Sequence, residues 1–419
     1  CLRDRVEQQL LDAGVLCCGG NGMGFFNYRD RVWAGGFDCR EHDTPGGVAL
    51  LSQSGAGMCG IVDCESRIDF NFVVSTGHEL TVTLADYLDF VLDLPGTRVV
   101  GLFIERLRDV PAFRRALARA NRQQIPVVAI KTGRTEQSAE LAVSHSGALA
   151  GHDGAYQALF DRYGVQRVRD MDELATALIL FERSGIPGPG GLVTLHDSGG
   201  EQQLLADLAA EHDVPLTRLN GETEHALGKV LDPELPAVNP LDGWSRGGPD
   251  AGDRMQQALA LLLNDPGAAC AALVHDRAPG GGVYSQYIDY LRYARQQNDK
   301  PLALVSARQG TGSDPQVEQV TRELGVPILD GVSSYLAGVK CQLGYRDFLA
   351  RSAPAVTPGE AAPIGFSGDP TLRPFEWLQA YGIQVPTMEI VACGDAAVDF
   401  WRQPARPVAL KTTREGLVH

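Results

Sequence analysis

Two stretches of this chain spell the same construction. Gly46–Gly57 reads GGVALLSQSGAG, and Gly190–Glu201 reads GGLVTLHDSGGE. Each offers a glycine pair, an apolar strand, and a Ser-Gly step into a segment with helical spacing. A continuously apolar strand that turns sharply into a helix must be covered on both faces, which places it in a parallel sheet flanked by helices. The repetition points to an internal duplication.

The surrounding pattern agrees. Apolar runs recur at Val48–Leu51, Phe72–Val74, Val99–Ile104 and Pro126–Ile130. Between them, Leu80–Leu92 and Pro111–Arg122 place apolar residues three or four apart and are predicted helices. Ser184–Gly191, SGIPGPGG, is a breaker-rich linker. Strands are predicted again at Leu192–Leu195, Ala271–Val274, Leu302–Ser306 and Val326–Leu329. A second linker, Ser352–Gly368, precedes a short helix at Pro374–Tyr381 and a strand at Pro407–Lys411. At 419 residues the chain exceeds one compact core, given about 100–200 residues per domain. The expected fold class is α/β: two tandem doubly wound parallel-sheet domains with a domain remnant at each end. The chain opens on Cys1, has its first methionine at Met23 and stops at His419, so both ends read as cuts.

Composition excludes several roles. The net charge of −15 argues against nucleic acid or an anionic membrane as partner. No apolar run approaches the roughly 20 residues that span a bilayer. Nine cysteines without a CxxC pair read as reduced thiols of a cytoplasmic protein. The nine histidines show no HExxH or other ligand spacing, so no protein-held metal is expected.

A Ser-Gly turn into a helix can cradle a phosphate. The first helical amides lack intrahelical partners, and the helix dipole adds about half a positive charge there. Ser54 and Ser198 add hydroxyls, while Gly55, Gly199 and Gly200 remove Cβ atoms that would block approach. One such turn reads as an ordinary N-cap. Two at equivalent positions, with an isolated histidine in the loop AVSHSGALAG (Ala142–Gly151), read as a phosphate-handling set. His145 can accept a phosphoryl group, since imidazole is nucleophilic near neutral pH. Its other ring nitrogen then needs an acceptor, and Glu105, at the end of a predicted strand, is the candidate. Its bland alternative is a surface glutamate paired with Arg106 or Arg108.

These motifs, in order, resemble the NDP-forming (ADP-forming) acyl-CoA synthetases, relatives of succinate–CoA ligase, in the single-chain arrangement of acetate–CoA ligases. VALLSQSGA resembles the family's first phosphate-binding turn, and DSGG (Asp197–Gly200) the second. LFIERLRD resembles the strand carrying the orienting glutamate, here Glu105, and KTGRTEQSAELAVSHSGALAG the phosphohistidine loop, here with His145. VNPLDG resembles the Asn-Pro-x-Asp segment at Asn239, Pro240 and Asp242. GGNGMG (Gly19–Gly24) resembles GPNCxG near the end of the CoA-binding domain, with Gly20 for proline and Gly22 for cysteine, leaving Asn21 as the residue carried over. The tail resembles the start of an ATP-grasp domain, in which Lys411 matches a nucleotide-contacting lysine and His419 a second phosphoryl-relay histidine. The resemblance implies flavodoxin-like domains at 46–186 and 187–352, a CoA-binding-domain remnant at 1–45, and a linker with the ATP-grasp start at 353–419.

It also implies an acid–CoA ligase. A small carboxylic acid, CoA and ATP give acyl-CoA, ADP and phosphate through an acyl phosphate and phospho-His145, with Mg²⁺ accompanying the nucleotide. The 419 residues alone are expected not to turn over. Departures are present: Asp197 and Glu201 put negative charge beside the second turn, weakening anion binding unless one is protonated or turned away. His78 replaces asparagine in a segment that would shape the acyl pocket. The alternatives are a non-catalytic acyl-CoA or nucleotide sensor on the same fold and a citrate-lyase-type CoA-ester cleavage enzyme. The acid and the homo-oligomeric state are left open.

Overall fold

The computed structural model of the chain describes residues 2–37, 39–40, 45–138, 141, 153–244, 247–275, 284–310, 315–351, 373–380, 384–385, 390–391 and 394–402. Cys1–Ala355 forms one compact unit and Val356–His419 a second.

The first unit holds two sheets. The first takes β1 (Gly24–Asn27), β2 (Val32–Gly35), β3 (Val48–Ser52), β4 (Phe70–Ser75), β5 (Val99–Ile104), β6 (Val127–Lys131) and β7 (Gln166–Val168), in the order β2-β1-β4-β3-β5-β6-β7. The second takes β8 (Gly191–His196), β9 (Leu241–Asp242), β10 (Ala268–Val274), β11 (Leu302–Ser306) and β12 (Ile328–Asp330), in the order β12-β11-β10-β8-β9. The strands from β3 to β7 are parallel, as are all of the second sheet. Counted from β3 and from β8, both sheets run 2-1-3-4-5, the flavodoxin-like doubly wound order. The duplication read in the sequence is therefore a duplication of topology.

The parallel strands fit their residues. β3, β4, β6, β8, β10 and β11 are buried at every position, which is why they appear as unbroken apolar runs. The hairpin β1–β2 went unread. It joins antiparallel through β1 to β4, and β2 is exposed throughout, so neither alternation nor an apolar run marks it. A boundary at Gly46 thus cuts a continuous sheet.

The helices preceding the site are α1 (Leu2–Asp12), α2 (Gly55–Val62), α3 (Leu84–Val91), α4 (Val110–Arg122), α5 (Asp153–Tyr163) and α6 (Met171–Ser184). Then come α7 (Gly199–Glu211), α8 (Gly221–Val230), α9 (Ala251–Asn264), α10 (Tyr284–Gln297), α11 (Pro315–Glu323) and α12 (Val332–Ala350). Their starts have local causes. Thr83 and Asp86 form a reciprocal capping box on α3. Asp109 caps α4, with a proline in its first turn, and Asp170 caps α6.

One core spans both sheets. Leu50 and Val73 from the first share a cluster with Leu192, Ala272 and Val305 from the second. α6 and α12 lie between, contributing Leu178, Phe181, Tyr335 and Tyr345 to the same cluster. The Phe181 and Tyr345 rings meet edge-on at 6.0 Å. α2 and α7, which start at the two Ser-Gly turns, bury Met58, Ile61 and Leu205 in this cluster too. The linker Ser184–Gly191 therefore connects two sheets that share an interior. In the second unit, α13 (Arg373–Ala380) and α14 (Gly394–Arg402) are described. Among the described residues no helix is long and apolar enough to cross a membrane.

Candidate functional site

A sheet of order 2-1-3-4-5 has its switch point between strands 1 and 3, where the loops at the strands' carboxyl ends part and leave a crevice. In the first sheet this lies between β3 and β5. Gln53 follows β3 and is saturated. Its Oε1 accepts from the amides of Glu105 at 2.6 Å and Arg106 at 2.9 Å. Its Nε2 donates to Glu79 Oε1 and to the Arg106 carbonyl, both at 2.7 Å. Thr76 Oγ1 donates to the same Glu79 oxygen at 2.9 Å. One side chain thus staples the turns after β3, β4 and β5.

The glycine-rich segment before β1 lies backbone-to-backbone on this cluster. His78 N donates to Gly20 O at 2.6 Å, and Leu80 N to Gly19 O at 2.7 Å. A Cβ on Gly22 would stand 2.4 Å from the Ser75 carbonyl oxygen, so no side chain fits where the resemblance expects cysteine. Asn21, with φ of 55°, reaches a recess of about 20 Å³ that it lines with Gln53, Gly77, His78, Glu79, Glu105 and Arg106. The structure therefore brings together Asn21 and Glu105, two residues named from the sequence.

Two unnamed residues join them. Glu79 is 1% exposed, and its Oε2 has no hydrogen-bond partner among the described residues. Burial pushes its carboxyl above the ordinary value, against the hydrogen bonds of Gln53 and Thr76. Lys131, ending β6, is buried, donates to the Glu105 carbonyl at 2.8 Å and to the Thr132 carbonyl, and stands 4.4 Å from the centre of the Tyr156 ring. Burial lowers its pKa to about 8. Both were missed because only the topology reveals their burial. A glutamate and a lysine beside turns otherwise read as surface charge.

The two Ser-Gly turns differ in detail. Ser54 is the N-cap of α2, and its side chain accepts from Gly57 N at 3.1 Å. A Cβ on Gly55 would meet Met23 Cγ at 2.6 Å, so this glycine makes room for a side chain of the protein itself. Ser198 takes the N-cap position of α7 with no side-chain cap bond. A Cβ on Gly199 would lie 3.2 Å from Asp242 Oδ2, and one on Gly200 3.7 Å from Ser198 Oγ. Asn239 is consumed by backbone, donating to Leu192 O and Thr217 O and accepting from Thr194 N, each at 2.9 Å.

The second switch point, between β8 and β10, answers the question raised by Asp197. Its Oδ2 lies 2.6 Å from His275 Nδ1, and His275 Nε2 is hydrogen-bonded to the Tyr287 hydroxyl. Asp197 thus stands against the imidazole of the residue that follows β10, in a close contact that leaves His275 Nδ1 without a hydrogen-bond partner among the described residues. His275 was not singled out from the sequence, since its partner is 78 positions away (275 − 197). His145, Lys411 and His419 lie outside the described residues.

Residues 45–181 match the family described as succinyl-CoA ligase like flavodoxin domain. Across 99% of its length the chain is 26% identical to an acetate–CoA ligase [ADP-forming] I of Archaeoglobus fulgidus, covering 61% of that protein. It is 27% identical across its whole length to a trans-feruloyl-CoA synthase of an unknown prokaryotic organism, covering 60% of it. The chain therefore spans about three fifths of each of these relatives. Its fold is similar to that of the Candidatus Korarchaeum cryptofilum dinucleotide forming acetyl-coenzyme A synthetase 1, solved in complex with phosphate and ADP. The TM-score is 0.70 at 22% identity, over 84% of this chain and 76% of that one.

Proposed function

We propose, from the premise that this chain is a member of the NDP-forming acyl-CoA synthetase family related to succinate–CoA ligase, that its parent protein is an acid–CoA ligase. It joins a carboxylic acid to CoA while ATP becomes ADP and phosphate. The observation that carries the reading is the doubled flavodoxin-like sheet with a polar cluster at both switch points.

In this reading His145 receives the phosphoryl group that originates in ATP and passes it to the acid's carboxylate, giving an acyl phosphate; the CoA thiol attacks that acyl carbonyl, forming the thioester and releasing phosphate. Glu105 accepts a hydrogen bond from the ring nitrogen that does not carry phosphorus, fixing the tautomer. Glu105 follows β5, and β6, which precedes His145 in the sequence, pairs parallel beside β5. Ser54–Gly55 and Ser198–Gly200 receive the phosphate at the starts of α2 and α7, through first-turn amides and the helix dipole. At α2 the Gly57 amide is already held by Ser54, leaving the earlier amides for the ligand. At α7 the Asp197 carboxylate stands 2.6 Å from His275 Nδ1, on the neighbouring strand's side of the turn. Asn21 faces CoA, Lys411 the nucleotide, and His419 relays phosphate between nucleotide and His145. Mg²⁺ comes with the nucleotide, held largely by its phosphates. Domain limits at 45, 186 and 352 belong to the same reading as limits of sequence segments, the first of them crossed by the pairing of β1 with β4.

The test is His145→Ala in the full-length protein, assayed with acid, CoA and ATP. The expected result is loss of acyl-CoA formation to background. Wild-type rates would reject a phosphohistidine route.

A further inference from the structure

The turn that carries Glu105 is held by side chains from either side of His145 in the sequence. We propose that Lys131 and Tyr156 are positioning residues, which aim the Glu105 carboxylate by fixing the backbone of Glu105–Leu107. What the carboxylate meets rests on the ligase reading, whereas how it is held rests on geometry alone. Gln53 takes the amides of Glu105 and Arg106 and the Arg106 carbonyl. Lys131 Nζ donates to the Glu105 carbonyl at 2.8 Å and to the Thr132 carbonyl, tying the end of β5 to the end of β6. The Tyr156 hydroxyl, in the first turn of α5, accepts from Leu107 N at 3.1 Å. Among the described residues the Glu105 carboxylate itself has no hydrogen bond and no ion pair, and the nearby Arg108 is bonded to Glu7 at 2.6 Å. The main chain of Glu105 is fixed at both its amide and its carbonyl, and its acid group is left open.

Place in the chain separates this arrangement from ordinary packing. His145 lies between the two holders in sequence, 14 positions after Lys131 (145 − 131) and 11 before Tyr156 (156 − 145). The strand that precedes the histidine and the helix that follows it therefore both bond the turn that offers the carboxylate. The start of α5 is anchored independently. Asp153 lies 2.5 Å from Arg167 of β7, and Gln157 Oε1 accepts from the same guanidinium at 3.0 Å, so Tyr156 stands on a fixed element. The Lys131 ammonium stands 4.4 Å from the centre of the Tyr156 ring, a cation–π contact that joins one holder to the other. A lysine is a costly group to place here. It is 3% exposed, and burial works against its charge. In return, a charged donor makes the stronger bonds to the two carbonyls. A side chain that opposes folding yet fixes the backbone of a reacting group is the kind of local conflict that functional sites retain.

The hold is read on the 419-residue chain by amide hydrogen exchange, and its purpose on the full-length protein by turnover with acid, CoA and ATP. Tyr156→Phe removes the acceptor of Leu107 N and should speed exchange there about tenfold. Lys131→Met, apolar and of similar length, should speed exchange at Glu105 and Arg106 as the turn loosens. In turnover, kcat should fall about 10–100-fold in Lys131→Met and about threefold to tenfold in Tyr156→Phe. KM for each substrate should stay within about twofold of wild type, as expected when only transition-state geometry is lost. The effect must also run through Glu105. In a Glu105→Gln background, Lys131→Met should lower kcat by less than about twofold further, the non-additivity of residues acting as one unit. Tyr156→Phe deletes a single hydroxyl and decides the matter even if Lys131→Met fails to fold. Unchanged exchange in Tyr156→Phe, wild-type kcat in Lys131→Met, a raised KM at unchanged kcat, or full additivity with Glu105→Gln overturns the proposal. Faster exchange beside a wild-type protein that forms no acyl-CoA would sink the ligase reading alone. Unaltered exchange in an active protein would sink this proposal alone.

Discussion

At the scale of the residue, what distinguishes this chain is polar groups buried with one atom unmatched. His196, ending β8, is wholly buried. Its Nε2 meets Thr194 Oγ1 at 3.0 Å, and its Nδ1 has no partner among the described residues. Burial lowers its pKa from 6.5 to about 4, with Asp197 pulling weakly the other way. The sign follows from linkage. Below pH 6.5 the unfolded chain binds a proton that the folded chain refuses until about pH 4, so the histidine's contribution is intact above 6.5 and is lost as pH falls across that window. The loss is about 3 kcal/mol at most, at roughly 1.4 kcal/mol per pH unit. Urea unfolding at neutral and acid pH should show this loss in the wild type and a flatter curve in His196→Gln. Identical curves would contradict the assignment. The Ser-Gly turns and Glu105 were legible in the sequence because spacing and position on a strand define them. Gln53, Glu79, Lys131 and His275 were not, because each acquires its environment from strands distant in sequence.

At the scale of the element, two glycines beside the site make opposed predictions. Gly22 abuts a backbone oxygen that cannot retreat, with a Cβ distance of 2.4 Å, whereas Gly55 abuts the flexible Met23 side chain. Gly22→Ala should cost about 2–3 kcal/mol and Gly55→Ala about 1 kcal/mol, since Met23 can clear the new Cβ by changing rotamer whereas the Ser75 carbonyl cannot. Urea midpoints measure both, and equal costs would contradict the packing described. The strands were readable because burial on both faces leaves an unbroken apolar run. α6 and α12 went unread for a related reason. α6 is buried from Glu173 through Glu182, and α12 buries most of its residues from Val332 to Val339. A helix enclosed on every side has no polar stripe, so the periodicity that reveals surface helices is missing.

At the scale of the molecule, duplicated sheets of the same strand order meet through one core. Each switch point carries its own cluster, Gln53 with Glu79 and Glu105 in one and Asp197 with His275 and Tyr287 in the other. The sequence announced the repeat through its matching turns, yet the shared interior was hidden because a glycine- and proline-rich linker looks the same between separate and fused units. That His145 carries phosphorus between such clusters is the claim on which the functional account stands. Its most direct test is to incubate the 419-residue chain with acetyl phosphate and map any phosphorylated residue by mass spectrometry under alkaline conditions that preserve phosphohistidine. The account predicts one labelled site, His145, absent in His145→Ala. An unlabelled chain, or label that persists in His145→Ala, would contradict it.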